Sequence, residues 1–199
     1  TTSAEVVAGP AISLPFIENF NAGSEYYKQA ENLWTKDPVG YSSNWSIERY
    51  DYSTSVTGVD GDEDNYDGYA AASYRYASPG TVDRLISSAI NFAGAEYPVL
   101  TFCTLVNSSN ANHLAVDVRC DGAEDETLID LVPNWLYAEG GDDNFWTMLT
   151  VPMMSLTGKV ANVIFRAYVP EGNDDNSDNI FLDKIRIDNY PAVKNMVIS

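Results

Sequence analysis

Short apolar runs recur along this chain and are separated by Gly, Asn, Asp, Ser and Pro. Runs of this length, bounded by turn-forming residues, predict the strands of a β-sandwich rather than helices. The predicted strands are Leu14–Phe20, Trp45–Tyr50, Tyr69–Tyr76, Leu85–Ser88, Val99–Val106, Leu114–Arg119, Leu128–Val132, Trp146–Val151, Ala161–Val169 and Ile180–Ile187. Only Ser24–Leu33 has the composition of a short helix, with Ser24 as a possible N-cap. The pattern therefore predicts an all-β protein with at most one short helix.

Alternation within two of these runs predicts which side chains share a face of a sheet. Leu114, Val116 and Val118 alternate with Ala115, Asp117 and Arg119, which predicts one buried and one solvated face. In the last run, Phe181, Asp183, Ile185 and Ile187 fall on one face and Leu182, Lys184 and Arg186 on the other. Asp183 therefore stands on an otherwise apolar face.

Composition indicates one domain with a sizeable core. The chain has 199 residues, 45% of them hydrophobic, so an all-β single domain is ordinary and the composition is far from that of a disordered chain. Its 29 acidic and 11 basic residues give a formal charge of -18, which argues against nucleic acid and anionic membrane surfaces as partners. Solubility alone would also explain the charge. No run reaches the roughly 18 apolar residues of a transmembrane helix.

The two cysteines are expected to be free. If Tyr97–Val106 and His113–Cys120 formed a hairpin, Cys103 would face Val116 or Asp117. Cys120 would then lie roughly 10–14 Å away, beyond the ~7 Å that a disulfide allows between Cα atoms. We expect two mostly buried thiols, so cysteine chemistry does not indicate the compartment.

Two acidic loops carry the strongest chemical signal. The first spans residues 60–68 and contains Asp60, Asp62, Asp64 and Asp67; the second contains Asp174, Asp175 and Asp178. Clustered carboxylates repel one another unless water or a cation screens them, and Ca²⁺ takes 6–8 oxygen ligands from flexible loops. The first loop is not an EF-hand, because Asn65 replaces the motif's Gly and Ala71 its bidentate Glu. A calcium loop of another type and a solvated acidic loop both remain open.

Several segments, in order, resemble bacterial cleaved adhesin or choice-of-anchor modules, which are similar to the MAM domain. They are Leu14–Phe20, Asn44–Ser46, Asp60–Asp67, Leu85–Ile90, Val99–Phe102, Trp146 with Leu149–Pro152, Val163–Arg166 and Asn179–Ile187. The resemblance covers roughly Leu14 to Ile187. It implies a two-sheet antiparallel β-sandwich of jelly-roll type, display on a bacterial cell surface or secretion, adhesion or glycan contact, and structural calcium.

In such a jelly roll the first and last strands lie close together. The resemblance thus makes Glu18 and Asp183 candidates to share one calcium ion. Asp183 supports this independently, since a buried carboxylate is costly unless it is paired or bound to a metal. Its alternative partners are Arg166 or a backbone donor. One His and two Cys without ligand spacing argue against a transition metal.

Aromatic side chains in or beside loops could stack on sugars. The candidates are Tyr41, Tyr50, Tyr52, Tyr66, Trp34 and Trp135. Packing or contact with another domain would explain any one of these rings as well. Trp45 and Trp146 stand at strand starts where the family buries them.

Catalysis is not expected. His113 opens a strand, and no Ser or Cys occupies a nucleophile elbow. A glycosidase would need two carboxylates about 5–9.5 Å apart, whereas the acids here crowd into loops. The sequence therefore predicts a non-catalytic, calcium-stabilised adhesion or glycan-binding module. A spacer without a ligand and a glycoside hydrolase are the alternatives.

The two ends differ from the middle. Residues 1–13 are expected to be a linker from an upstream module, residues 14–188 the jelly roll, and residues 189–199 a linker or the first strand of a downstream module. We expect fibronectin type III-like neighbours in the same chain. The partners would be a glycan or cell-surface protein and these neighbouring domains, with no membrane insertion.

Overall fold

The computed structural model describes residues 10–18, 20, 33–37, 45–49, 70–74, 78–106, 113–131, 147–170 and 180–190. Within these ranges the chain forms thirteen strands. They are β1 (Ile12–Ser13), β2 (Phe16–Glu18), β3 (Trp34–Asp37), β4 (Trp45–Arg49), β5 (Ala70–Tyr74), β6 (Val82–Ser87), β7 (Ile90–Asn91), β8 (Tyr97–Val106), β9 (His113–Cys120), β10 (Glu126–Leu131), β11 (Thr147–Pro152), β12 (Val160–Tyr168) and β13 (Ile180–Tyr190). A 3-10 turn spans Met154–Leu156.

The strands form two sheets. In the seven-stranded sheet, β12 is flanked on one edge by β9 and then β10, and on the other by β6 and β7, with β3 beside β6 and β1 beside β7. In the six-stranded sheet, β13 is flanked by β8 and then β11, and on its other edge by β5 and β2, with β4 beside β5. β1 pairs with β7 in parallel, and the other pairings are antiparallel. The predicted two-sheet β-sandwich is confirmed.

The apolar core lies between the two sheets. Phe102 of β8 and Phe165 of β12 meet there edge to face, with their ring centroids 5.1 Å apart. Leu100, Val163 and Ile187 surround them, each with at most 1% of its surface exposed. Burying one such side chain stabilises the folded protein by about 1.5–3 kcal/mol, so this layer holds the two sheets together.

All ten predicted strands are present, and three short ones were missed. These are β1, β3 and β7; each is two to four residues long, too short for periodicity to detect. β1 lies before Leu14, and β13 continues to Tyr190. The predicted helix Ser24–Leu33 lies outside the described residues except for Leu33, as does Trp146. Trp45 is 1% exposed, as the resemblance implied.

The predicted hairpin between Tyr97–Val106 and His113–Cys120 is wrong. β8 lies in the six-stranded sheet between β11 and β13, whereas β9 lies in the seven-stranded sheet between β10 and β12. These two strands are neighbours in the sequence but belong to different sheets, which local alternation cannot reveal. The conclusion about the thiols still holds, because Cys103 is buried, Cys120 is half-buried and neither forms a disulfide.

The solvated face predicted for β9 is also wrong in part. Ala115 and Asp117 are 0% and 2% exposed, although they alternate with the core residues Leu114, Val116 and Val118. β9 has a neighbour on each edge, and long side chains from those neighbours cover its outer face. A strand inside a sheet can therefore be buried on both faces even where one face is polar.

Candidate functional site

Glu18 lies at the end of β2 with its carboxylate inside the protein. It is 7% exposed and stands opposite Ile185 of β13. Oε1 accepts a hydrogen bond of 2.7 Å from the backbone N–H of Phe20, and Oε2 accepts one of 3.1 Å from the indole Nε1–H of Trp34. These bonds hold the carboxylate where β2 ends and the chain turns through Phe20, whose φ is 50°.

Asp183 lies on β13 at a β-bulge. The register of β13 against β8 shifts between Asp183 and Arg186, and Lys184 adopts a φ of 49°. Asp183 is 6% exposed, and its Oδ1 accepts a hydrogen bond of 2.7 Å from the backbone N–H of Lys184. A backbone donor is one of the alternative partners that the sequence left open. Arg166, the other, forms an ion pair with Asp117.

The bulge corrects the predicted faces of β13. Leu182 and Ile185 both belong to the core although they are three positions apart, an odd number, so the alternation changes phase at Lys184. Asp183 and Phe181 therefore share a face, but Ile185 and Ile187 do not lie on it. An added residue in one strand re-aims the side chains on either side of it, and sequence periodicity does not show where this happens.

Glu18 and Asp183 come close through the β2–β13 pairing. Asp183 lies two residues from Ile185, the partner of Glu18. Because the alternation of β13 changes phase at Lys184, the pairing puts the two residues on neighbouring strands but does not by itself put their side chains on one face. Among the described residues no three His, Cys, Asp or Glu side chains cluster as a metal site. The other predicted ligands, Asp60, Asp62, Asp64 and Asp67, lie outside the described residues, as do Asp174, Asp175 and Asp178.

Trp34 is not an exposed sugar-binding ring. It lies on β3, not in a loop, and is 6% exposed. Its ring centroid lies 6.0 Å from those of Phe16, Phe20 and Phe165, and its N–H donates to Glu18. It is therefore a core residue that orients a candidate calcium ligand. The remaining predicted rings, Tyr41, Tyr50, Tyr52, Tyr66 and Trp135, lie outside the described residues.

A polar cluster covers the outer face of the seven-stranded sheet. Asp117 accepts hydrogen bonds from Arg166 Nε at 2.6 Å and from Thr127 Oγ1 at 2.7 Å. The hydrogen bond with Asp117 raises the pKa of Arg166. Nearby, Arg119 Nε donates to Asp125 at 2.5 Å. This cluster fixes the register of β9, β10 and β12 and explains why Asp117 can be buried.

His113 belongs to the same outer face. Its Nδ1 lies 3.0 Å from the hydroxyl of Tyr168, which donates to Asp130 at 2.9 Å. Burial lowers the pKa of His113, while Asp130 opposes that shift. Burial and the hydrogen bond with Asp130 raise the pKa of Tyr168 to about 12. Because Tyr168 gives its proton to Asp130, His113 donates to Tyr168 through Nδ1–H. The histidine is thus engaged in a structural chain of hydrogen bonds.

Two exposed tyrosines were missed by the sequence analysis. Tyr97 of β8 and Tyr190 of β13 are direct cross-strand partners, and they are 40% and 51% exposed. Each stands immediately before a proline at the end of a strand, which is the one signal that could have marked them. Their pairing joins positions far apart in the sequence, so only the structure shows that the two residues are neighbours.

The comparisons with solved structures agree on the fold. The K3 cleaved adhesin domain of Lys-gingipain from Porphyromonas gingivalis aligns with a TM-score of 0.60 and 18% identity, over 87% of this chain and 96% of that one. The K1 domain of the same protein aligns with a TM-score of 0.57 and 14% identity, over 89% of this chain and 99% of that one. The carbohydrate-binding module TmCBM61 was solved in complex with β-1,4-galactotriose. It aligns with a TM-score of 0.52 and 10% identity, over 87% of this chain and 99% of that one.

These alignments define the class of the protein as a jelly-roll β-sandwich module. At 18% identity or less they establish the fold, and the predicted likeness to cleaved adhesin domains is confirmed at that level. No protein-family model and no curated protein matches the sequence. Within the described residues, no helix has the length and apolar character needed to cross a membrane.

Proposed function

We propose that this protein is a non-catalytic adhesion or glycan-binding module of a secreted or surface-exposed bacterial protein, stabilised by calcium. The observation that carries the proposal is near-complete structural overlap with three domains of this kind. Two are cleaved adhesin domains and one is a carbohydrate-binding module with a bound galactotriose, and each is covered over 96–99% of its length. A whole module, rather than a shared motif, is therefore similar.

The ionisable groups of the described regions support a binding role over a catalytic one. Asp117, Asp125 and Asp188 each form an ion pair with an arginine. His113 is engaged by Tyr168 rather than by a nucleophile. Glycoside hydrolysis needs one carboxyl held protonated near a second, ionised one. A carboxylate held in an ion pair with arginine is not placed to protonate a glycosidic oxygen.

The glycan-binding proposal is tested with a panel of soluble polysaccharides. We expect the protein to be retarded in native gels that contain at least one neutral polysaccharide, such as β-1,4-galactan, xyloglucan, mannan or dextran. Anionic polygalacturonate should cause no retardation, because the chain itself carries a charge of -18. Release of reducing sugar from the same panel is the control for hydrolysis. Absence of retardation across the panel would leave a spacer module as the better explanation.

Calcium is proposed to bind between Glu18 and Asp183, and the loop of residues 60–67, which lies outside the described residues, is proposed as a second candidate. We expect protein stripped with EDTA to melt roughly 5–10 °C higher in millimolar CaCl2, but not in MgCl2. A ligand at 100 times its Kd adds about 2.7 kcal/mol to the free energy of unfolding, and 1 kcal/mol corresponds to about 2–4 °C in a domain of this size. The measurement is a thermal melt followed by circular dichroism.

Variants locate the ion. Asp183→Asn and Glu18→Gln should each abolish most of the calcium-induced rise, since an amide keeps the acceptor oxygen but removes the charge. Asp188→Asn is the matched control on the same strand, because Asp188 pairs with Arg186 on the outer face and should keep the full rise. A full rise in Asp183→Asn would place the ion elsewhere. No rise in the wild type would refute the calcium part alone.

A further inference from the structure

The outer face of the six-stranded sheet carries an aromatic surface that none of the predicted sites includes. Tyr97 and Tyr190 lie directly opposite each other on β8 and β13. One place further along the same strands, Pro98 and Asn189 are partners, and then Val99 and Asp188. We call the two rings the tyrosine platform. Side chains directly opposite each other in an antiparallel pair have Cβ atoms about 4.5–5.5 Å apart, so the two side chains leave the sheet at neighbouring positions.

Both rings are held on the outside of the sandwich. Leu100 and Ile187, which are partners in the same ladder, belong to the core. Tyr97 and Tyr190 stand three residues away on their strands, on the opposite face, and are 40% and 51% exposed. A ring half open to solvent on a flat sheet offers one broad apolar side to a ligand.

The backbone beneath the platform is fixed by a side chain. Asn189 Oδ1 accepts hydrogen bonds from the backbone N–H groups of Glu96 and Tyr97, at 2.8 and 3.0 Å. These two bonds tie the start of β8 to the end of β13, where strands otherwise fray. The platform is therefore organised before a ligand arrives, which reduces the entropy lost on binding.

Polar groups suited to hydroxyls stand next to the rings. Asp188 lies two residues from Tyr190 on the same face, about 7 Å along the strand. Arg186, half-exposed, donates to Asp188 through Nε and through Nη2, the latter at 2.9 Å. The pair cancels its own charge, yet the guanidinium keeps further N–H donors. If one sugar unit stacked on the tyrosine rings, the next unit of the oligosaccharide would lie near these N–H donors.

We propose that the tyrosine platform binds a neutral oligosaccharide, with a sugar ring stacked on Tyr97 and Tyr190 and hydroxyls bonded to Arg186 and Asp188. This rests on the proposed function and names the part of the module that performs it. Apolar C–H faces of pyranose rings pack on aromatic rings, and their hydroxyls require polar partners at the edge. An anionic glycan is disfavoured by the charge of -18 and by the pairing of Arg186 with Asp188.

The composition of this face favours a sugar over a protein partner. Protein-docking patches on small proteins are contiguous apolar areas of several hundred Å². Here two rings are followed within four residues by a charged pair, Asp188 and Arg186, and Thr101 lies opposite Arg186. A narrow aromatic strip bordered by hydrogen-bonding groups matches one or two sugar units.

The test uses the neutral polysaccharide that retards the wild type most strongly. Tyr97→Ala and Tyr190→Ala should each weaken retardation about tenfold, and the double variant should abolish it. Tyr97→Phe should stay within about threefold, because the ring remains. Tyr168→Phe, on the outer face of the other sheet, is the matched control and should bind as the wild type does. Each variant's melting temperature shows whether it is folded.

Three outcomes would overturn the site. If the wild type binds but both alanine variants bind equally well, the glycan site lies elsewhere and the proposed function survives. If the wild type binds no neutral polysaccharide, the proposed function and the platform both fail. If the alanine variants instead abolish self-association in gel filtration, a second copy of the chain covers the platform.

Discussion

Replacing Trp34 with alanine is expected to lower the free energy of unfolding by about 3–5 kcal/mol, the usual cost of removing a buried tryptophan. The ring contacts Phe16, Phe20 and Phe165, so its removal opens a cavity between the sheets. It also leaves Glu18 without its indole donor. We expect a fall in melting temperature of about 6–20 °C, measured by circular dichroism with urea unfolding in parallel.

This variant separates a core role from a binding role for Trp34. A sugar-binding ring would lose glycan affinity while the melting temperature stayed unchanged, and that result would contradict the prediction. Tyr190→Ala is the control with the opposite expectation, because the ring is 51% exposed and should add little to stability. Trp34→Phe should fall between wild type and Trp34→Ala, since it keeps most of the packing but not the N–H.

Replacing Asp117 with alanine is the second change with a large expected effect. Asp117 is 2% exposed and holds both Arg166 and Thr127 on the neighbouring strands. Breaking a fully buried ion pair costs about 3–5 kcal/mol. The side chain of Arg166 is 20% exposed and can partly rehydrate. We therefore expect the free energy of unfolding to fall by about 2–3 kcal/mol. That loss corresponds to a fall of roughly 5–10 °C in the melting temperature.

The matched control is an ion pair on the outside of the other sheet. Asp188→Ala removes the partner of Arg186, which is half-exposed, and should shift the melting temperature by no more than about 2 °C. An equal effect of the two variants would show that burial of Asp117 contributes nothing to its role. Combining Asp117→Ala with Arg166→Met should recover part of the loss, because the unpaired guanidinium is then absent.

Strand positions were the part of the fold that the sequence predicted best. A run such as 160–168 alternates clearly, because one side of the strand faces the core, and its predicted limits differ from β12 by a single residue at each end. Pairing was harder. Cys103 and Cys120 lie on strands that are consecutive among the predicted strands, yet the strands lie in different sheets.

The candidate site was predicted in part. Glu18 and Asp183 are both buried and lie on paired strands, as the resemblance implied. Their role as calcium ligands stays a prediction. Trp34 was predicted to lie in or beside a loop, whereas it lies on β3, which has only four residues. Its burial depends on Phe165, which is more than a hundred positions away in the sequence, and no local pattern carries that information.

The sequence by itself determined that this is an acidic, all-β chain built from short amphipathic strands, because periodicity and charge are local properties. The tertiary structure alone decided which strands meet, since pairing depends on how two sheets enclose one core. It buried Asp117 under Arg166, changed the phase of β13 at Lys184, and placed Tyr190 beside Tyr97. Each of these features depends on strands that are brought together only when the chain folds.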